Sequence, residues 1–311
     1  MMNKKLTPEL QQTYDQIIQA GTAKNTRLSY QSDMKLFWSW AHDKLNLTEH
    51  YPIAVETLIQ FIIDRTTTSD KPFKVSTIRR YMASISVMHQ ERGLPSPTLD
   101  QSIKLLLRRT QHAQANQTTC KKQGITSDLL QKMIATCDGS LHGVRDKAII
   151  LVGFASGGRR RSELCGMQAE DLIKVDEGYL ITLRSNKTDQ AGSGLQVPIL
   201  GDAAIALKAW LVMTGIRRGR LFRSITARGQ LNESISGKAI NQVIKKRVAL
   251  SGSNPDMYSA HSLRSGFITE AGRQGIHLGE VVQLSGHKSL EIASGYYRKG
   301  ELLANPAGRI S

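Results

Sequence analysis

Cysteine is scarce in this chain: Cys120, Cys137 and Cys165 are the only three in 311 residues. An odd number without CxxC spacing builds neither a disulfide framework nor a zinc site, and it fits a reducing compartment. Acidic residues are in deficit, 26 against 42 Lys and Arg, which leaves a formal charge of +16. Long hydrophobic runs are missing too. The longest, Ala148 to Ala155, is far too short to cross a bilayer. Lys4 and Lys5 have no apolar stretch behind them, so no signal peptide is expected. Acidic clusters with metal-ligand spacing, a Walker-type Gly-Lys-Ser/Thr loop, internal repeats and low-complexity tracts are likewise absent. The expectation is a cytoplasmic protein with no membrane partner, no metal and no cofactor.

Positive charge is what the chain has in excess, with a pI near 9.9. Residues 1–125 hold 17 basic and 10 acidic side chains, and the remainder holds 25 and 16. A polyanion would therefore touch both halves; nucleic acid, an anionic membrane surface and an acidic protein all satisfy that balance. A chain of this length can bury two separate cores.

Apolar spacing divides the sequence. Leu28, Tyr30, Met34, Phe37 and Trp38 recur at helical intervals behind Asn25 and Thr26, which can cap a helix. Val55 to Ile62 mark a second helix. A third carries Ile78, Tyr81, Met82, Ile85 and Met88, capped by Ser76 and Thr77 and stopped at Gly93 and Pro95. Ile103 to Arg109 form a fourth. The polar stretch from Gln111 reads as a linker. Beyond it, residues 129–136 and 144–156 read as helices, and 178–184 and 195–200 as strands flanking a loop of hairpin composition. Helices follow at 202–214, at 237–250 and from His261 onward.

The chemistry sits in three short segments near the C-terminal end and one upstream. His261 and Arg264 stand three apart on one helix face, Gly286-His287 follows, and then Tyr296-Tyr297-Arg298. Upstream lies Gly158-Arg159-Arg160-Arg161-Ser162-Glu163. Cations for phosphate oxygens together with a phenol to attack phosphorus suit a phosphodiester better than a small molecule.

With those residues in that order, the chain resembles the tyrosine recombinases of the phage-integrase family over roughly residues 20–300. The family's first arginine precedes a glutamate by three residues, which selects Arg160 ahead of Glu163. Lys187 matches the lysine of a hairpin loop, His261 and Arg264 the HxxR box, His287 the second histidine and Tyr296 the nucleophile. The resemblance implies a mainly α, helical core-binding domain over residues 23–110, after an N-terminal extension (1–22). A linker (111–125) then leads to a mixed α+β catalytic domain over residues 126–299, with a small antiparallel sheet, and a tail (300–311).

It also implies a site-specific recombinase that cleaves and rejoins strands of double-stranded DNA through a 3′-phosphotyrosyl link, acting as a homotetramer on paired target sites in the cytoplasm, on the nucleoid. Arg160 and Arg264 would hold the phosphate, Lys187 would protonate the leaving oxygen, His261 would assist Tyr296, His287 would donate to a phosphate oxygen, and Glu163 would orient its neighbours. Lys74, Arg79, Arg80, Lys104, Arg108 and Arg109 are the expected DNA contacts of the first domain. Two other readings carry the same residues: a relaxing topoisomerase of the same chemistry, and a DNA-binding protein that has lost catalysis.

Overall fold

The computed structural model describes residues 7–22, 24–115, 122–184, 194–287 and 289–305. It separates into two compact units, Met1–Thr119 and Cys120–Ser311.

The first unit is helical. The expected N-terminal extension carries a helix, α1 (Pro8–Gly21), whose first turn is capped by Thr7 Oγ1 accepting from Leu10 N–H at 3.4 Å. Helix α2 (Lys24–Leu45) takes Asn25 and Thr26 into its first turn, where the sequence placed its cap. Helices α3 (Val55–Ile63), α4 (Val75–Gln90) and α5 (Gln101–Ala115) complete the unit. Phe37, Leu58, Phe61, Ile62, Ile78, Ile85 and Ile103 are fully buried between them. These positions recur at three- and four-residue spacing, so each helix turns one apolar face inward. Phe37 meets Phe61 edge to face, with ring centroids 5.1 Å apart.

Two corrections in this unit share a cause. The cap position of α4 is Lys74, which offers no side-chain hydrogen bond, rather than Ser76 or Thr77. The cap comes instead from α5: Gln114 Oε1 accepts from Val75 N–H at 3.0 Å, and its Nε2 donates to the Phe73 carbonyl at 3.0 Å. That tertiary role continues α5 through Gln111 to Ala115, where polarity alone suggested linker from Gln111 onward.

The second unit is α+β. Helices α6 (Ser127–Ala135) and α7 (Leu141–Ala155) open it, and Ser140 Oγ caps α7 by accepting from Gly143 N–H at 3.1 Å. A short α8 (Arg161–Gly166) leads into strands β1 (Leu172–Val175), β2 (Gly178–Leu183) and β3 (Leu195–Leu200). They form an antiparallel sheet in the order β1-β2-β3, with Ile181 paired to Leu172 on one side and Val197 on the other. Helices α9 (Gly201–Thr214), α10 (Gly237–Leu250), α11 (His261–Arg273), α12 (Leu278–Ser285) and α13 (Leu290–Ala304) follow.

Ile149, Ile181, Val197, Leu207, Trp210, Phe222, Ile244 and Leu263 are fully buried in one core. The polar end of Trp210 is satisfied there by the Leu221 carbonyl at 2.9 Å. The overall class is the expected one: a helical N-terminal unit, then an α+β unit with a small antiparallel sheet. No helix among the described residues is long and apolar enough to cross a membrane.

Candidate active site

The site is built on α11. Its partner α13 lies close enough that two glycines have no room for a side chain. A Cβ at Gly300 would collide with the Thr269 carbonyl, and one at Gly272 with the carbonyl of Tyr297. This approach sets Tyr296 beside α11, and Thr269 Oγ1 donates to the Tyr296 carbonyl at 3.3 Å. His261, Ser265 and Thr269, one helical turn apart on α11, line a cleft of about 590 Å³ together with Gly295, Tyr296 and Lys299 of α13.

The two neighbouring tyrosines have different environments. Tyr297 is buried, and its hydroxyl donates to the Ile276 carbonyl at 2.6 Å. Tyr296 is half-buried and faces the cleft, and its hydroxyl makes no hydrogen bond to any described residue. Of these two tyrosines, Tyr296 is the one whose phenol is available to a substrate.

Arg264, on the first turn of α11, is 2 % exposed. Its Nη1 donates to the carbonyls of Gly158 (3.1 Å) and Ser285 (2.7 Å). Its Nε and Nη2 lie 3.0 and 2.9 Å from the two ring nitrogens of His287. Gly158 has a left-handed φ of 68°, and a Cβ there would strike the Arg264 backbone. A glycine is therefore required where the arginine segment crosses α11.

Arg159 is 1 % exposed, and its Nη2 donates to the Leu284 carbonyl. The last carbonyls of α12, Leu284 and Ser285, thus face guanidiniums, which suits the negative end of a helix. Arg160 is the cap residue of α8. Its Nη1 donates to Glu163 Oε1 at 2.6 Å and its backbone N–H to Glu163 Oε2 at 3.1 Å, while Arg159 Nη1 approaches the same carboxylate at 3.7 Å. One buried carboxylate therefore brackets both arginines.

Burial first, and then the neighbouring guanidiniums, disfavour the charged form of both imidazoles. Burial, then Arg264 and Arg160, hold the His261 pKa below its usual value. Burial, then Arg264, Arg160, His261 and Arg159, press His287 down to about 4. Burial and Arg160 lower Arg264 to about 10, which leaves it charged at neutral pH. A neutral imidazole keeps a lone pair that can accept a proton, though the neighbouring cations weaken it as a base, and the cations can hold an oxyanion.

Of the residues expected from the sequence, Arg160, Glu163, His261, Arg264 and His287 form one linked group, and Tyr296 shares the cleft with His261. Lys187 lies outside the described residues. Sequence reasoning missed Arg159 and Ser285. The triple arginine was a signal for Arg159; a lone serine before Gly286 was none.

In the first unit all six basic residues expected to meet DNA are exposed, but two are already engaged. Arg80 Nη1 donates to Asp33 and to Ser29 Oγ (3.2 Å), and Arg79 Nη2 donates to Gln111 Oε1 at 2.6 Å. Lys74, at the cap of α4, and Lys104, Arg108 and Arg109, on α5, remain exposed. Among the described residues no group of three or more His, Cys, Asp or Glu is arranged to hold a metal ion.

Comparison with known proteins converges on one family. The model of the phage integrase family matches residues 123–301. An integrase/recombinase XerD homolog of Selenomonas ruminantium is 31% identical over 306 residues, covering 93% of this chain and 86% of that protein. Tyrosine recombinase XerC of Thermodesulfovibrio yellowstonii is 26% identical, covering 90% and 87%. Among solved structures, XerH in a post-cleavage complex with palindromic difH has a TM-score of 0.61 at 16% identity, covering 92% of this chain and 79% of that one. A lambda integrase dimer bound to a COC′ core site has a TM-score of 0.58 at 18% identity, covering 94% and 96%. The two structures share the fold. The chain belongs to the phage integrase family. Its activity is that of a tyrosine-type site-specific recombinase.

Proposed function

We propose that this recombinase cuts and rejoins double-stranded DNA at a specific target site through a 3′-phosphotyrosyl link to Tyr296, without metal or ATP. The observation that carries the reading is the pairing of an uncommitted Tyr296 phenol with neutral His261 in one cleft, beside the Arg160–Arg264–His287 group. Arg160 and Arg264 hold the non-bridging oxygens, where negative charge grows as the phenol oxygen attacks phosphorus. The phenol proton passes to His261, and the P–O bond to the 5′-oxygen breaks. Lys187 supplies the proton that the leaving oxygen needs. Reversal by a 5′-hydroxyl from a second duplex re-forms the phosphodiester and frees Tyr296, so bond energy is conserved.

Two paired duplex sites supply the four strands such an exchange needs, and a homotetramer brings one Tyr296 to each. XerH and lambda integrase are recorded on DNA sites, which supports duplex DNA as the substrate. Lys74, Lys104, Arg108 and Arg109 contact backbone phosphates from the first unit, with Arg79 and Arg80 contributing charge from their bonded positions. A cytoplasmic, nucleoid-associated location follows from that substrate.

The test is a suicide substrate: nicked duplex carrying a candidate site from inverted repeats flanking the gene, incubated in EDTA without ATP and run on a denaturing gel. A slow protein–DNA adduct that is lost in Tyr296→Phe is expected. Adduct from Tyr296→Phe at the parent's rate would overturn the assignment of the nucleophile.

A further inference from the structure

One residue touches both Arg264 and His287. Ser285 is 1 % exposed at the end of α12; its carbonyl accepts from Arg264 Nη1 at 2.7 Å, and its Oγ lies 2.7 Å from His287 Nδ1. The same Oγ is 3.3 Å from the Val282 carbonyl.

Donor counting decides how this cluster is wired. A guanidinium has only donors, and a neutral imidazole has one N–H and one lone pair. Arg264 faces both ring nitrogens, so it can bond only the unprotonated one. With the proton on Nδ1, three bonds form: Nδ1–H to Ser285 Oγ, the serine O–H to Val282, and Arg264 Nε–H to His287 Nε2. With the proton on Nε2, that N–H points at Arg264 Nε–H, and two bonds form: the serine O–H to Val282 and Arg264 Nη2–H to Nδ1. The first arrangement wins on satisfied donors in a site where unsatisfied ones are costly.

We infer that Ser285 is a positioning residue that fixes the Nδ1–H form of His287 and supplies the acceptor that His287 needs to carry a second proton on Nε2 toward the scissile phosphate, a role that rests on the strand-transfer chemistry proposed above. In the DNA-free protein Nε2 is occupied by Arg264. The titratable groups facing the ring are Arg264 and His261 from α11 and Arg160 and Arg159 from the turn before α8, with no carboxylate directly on it. All of them oppose a second proton. A phosphate entering between Arg264 and His287 reverses that field. His287 then takes up a proton on Nε2 and donates it in a hydrogen bond to the phosphate oxygen, while Nδ1–H stays on Ser285.

Two measurements test this. The first uses DNA-free protein with 15N-labelled histidines, the His287 signal being identified by its loss in His287→Gln. The Nδ1–H tautomer is expected in the parent, and the Nε2–H tautomer would overturn the inference. This readout needs no reaction, so it stands even if no adduct can be trapped.

The second is the pH profile of single-turnover adduct formation on the suicide substrate. Ser285→Ala should move the falling alkaline limb down by about one pH unit, equivalent to a tenfold loss above it. Ser285→Thr, which keeps the hydroxyl, should restore the limb. A Ser285→Ala profile superimposed on the parent's, or lowered equally at every pH, would overturn the inference.

Discussion

Glu163 offers a quantitative test of how the site is held. Its side chain is 4 % exposed and accepts two hydrogen bonds from Arg160, while Arg159 stands 3.7 Å away with its Nε unpaired. Arg264 adds a third guanidinium to the same field. Changing Glu163 to Gln keeps the shape and one acceptor oxygen but removes the negative charge that brackets these two arginines. Removing one partner of a buried ion pair costs about 3–5 kcal/mol. Arg160 is 29 % exposed on its side chain, so water screens part of its share; the expected loss is therefore at the lower end, about 3 kcal/mol.

Hydrogen exchange read by mass spectrometry separates the peptides of the second unit from those of the first. In Glu163→Gln, amides of α7, α8 and α11 that open only with that unit should exchange on the order of a hundredfold faster. DNA carrying the target site should shrink the difference, because a phosphate restores negative charge beside the arginines. A variant within about 0.5 kcal/mol of the parent, the range of an ordinary surface change, would refute the bracket.

Four further outcomes follow from the geometry. Tyr297→Phe should lose about 1 kcal/mol of stability, the worth of its bond to Ile276, yet still form adduct, whereas Tyr296→Phe should keep its stability and form none; urea unfolding and the adduct gel read both. The unfolded chain protonates His287 near 6.5 and the folded chain near 4, so the unfolded state binds more protons between those values; stability should fall by about 1–2 kcal/mol from pH 6.5 to 4 after allowance for partial exposure, and His287→Gln should flatten the slope. Gly158→Ala should cut adduct formation by more than about tenfold, because left-handed backbone and the Arg264 main chain both oppose a Cβ. Arg108→Ala should lower the salt slope of DNA binding by about one, whereas Arg80→Ala should chiefly destabilise the first unit by stripping a partner from Asp33, which is 2 % exposed.

The chemistry was more legible than the structural support around it. Arg160, His261, Arg264, His287 and Tyr296 could be named because their types, order and spacing resemble the motifs of the phage-integrase family, and residue types and spacing are readable without a structure. Helix α10 was read with its observed ends and β3 likewise, since both have strong apolar periodicity and clear breaks. Strand β1 escaped notice: it has four residues, with Ile173 and Lys174 both exposed, so no alternation marks it. The α4 cap and the end of α5 were hidden because Gln114 acts across 39 residues, a relation no local pattern records. Arg79 and Arg80 looked like free cations until Gln111 and Asp33 were brought to them by folding. Ser285 gives no sequence signal, since its importance comes from two neighbours that meet only in three dimensions.

The central claim is that Tyr296, and not the adjacent Tyr297, becomes linked to DNA. The most direct measurement is fragmentation mass spectrometry of the trapped adduct after the DNA has been trimmed by nuclease. Trypsin releases both tyrosines in the peptide ending at Arg298. The account predicts a nucleotide phosphate on Tyr296 alone. A phosphate on Tyr297, or bound DNA with no adduct on either residue, would contradict it.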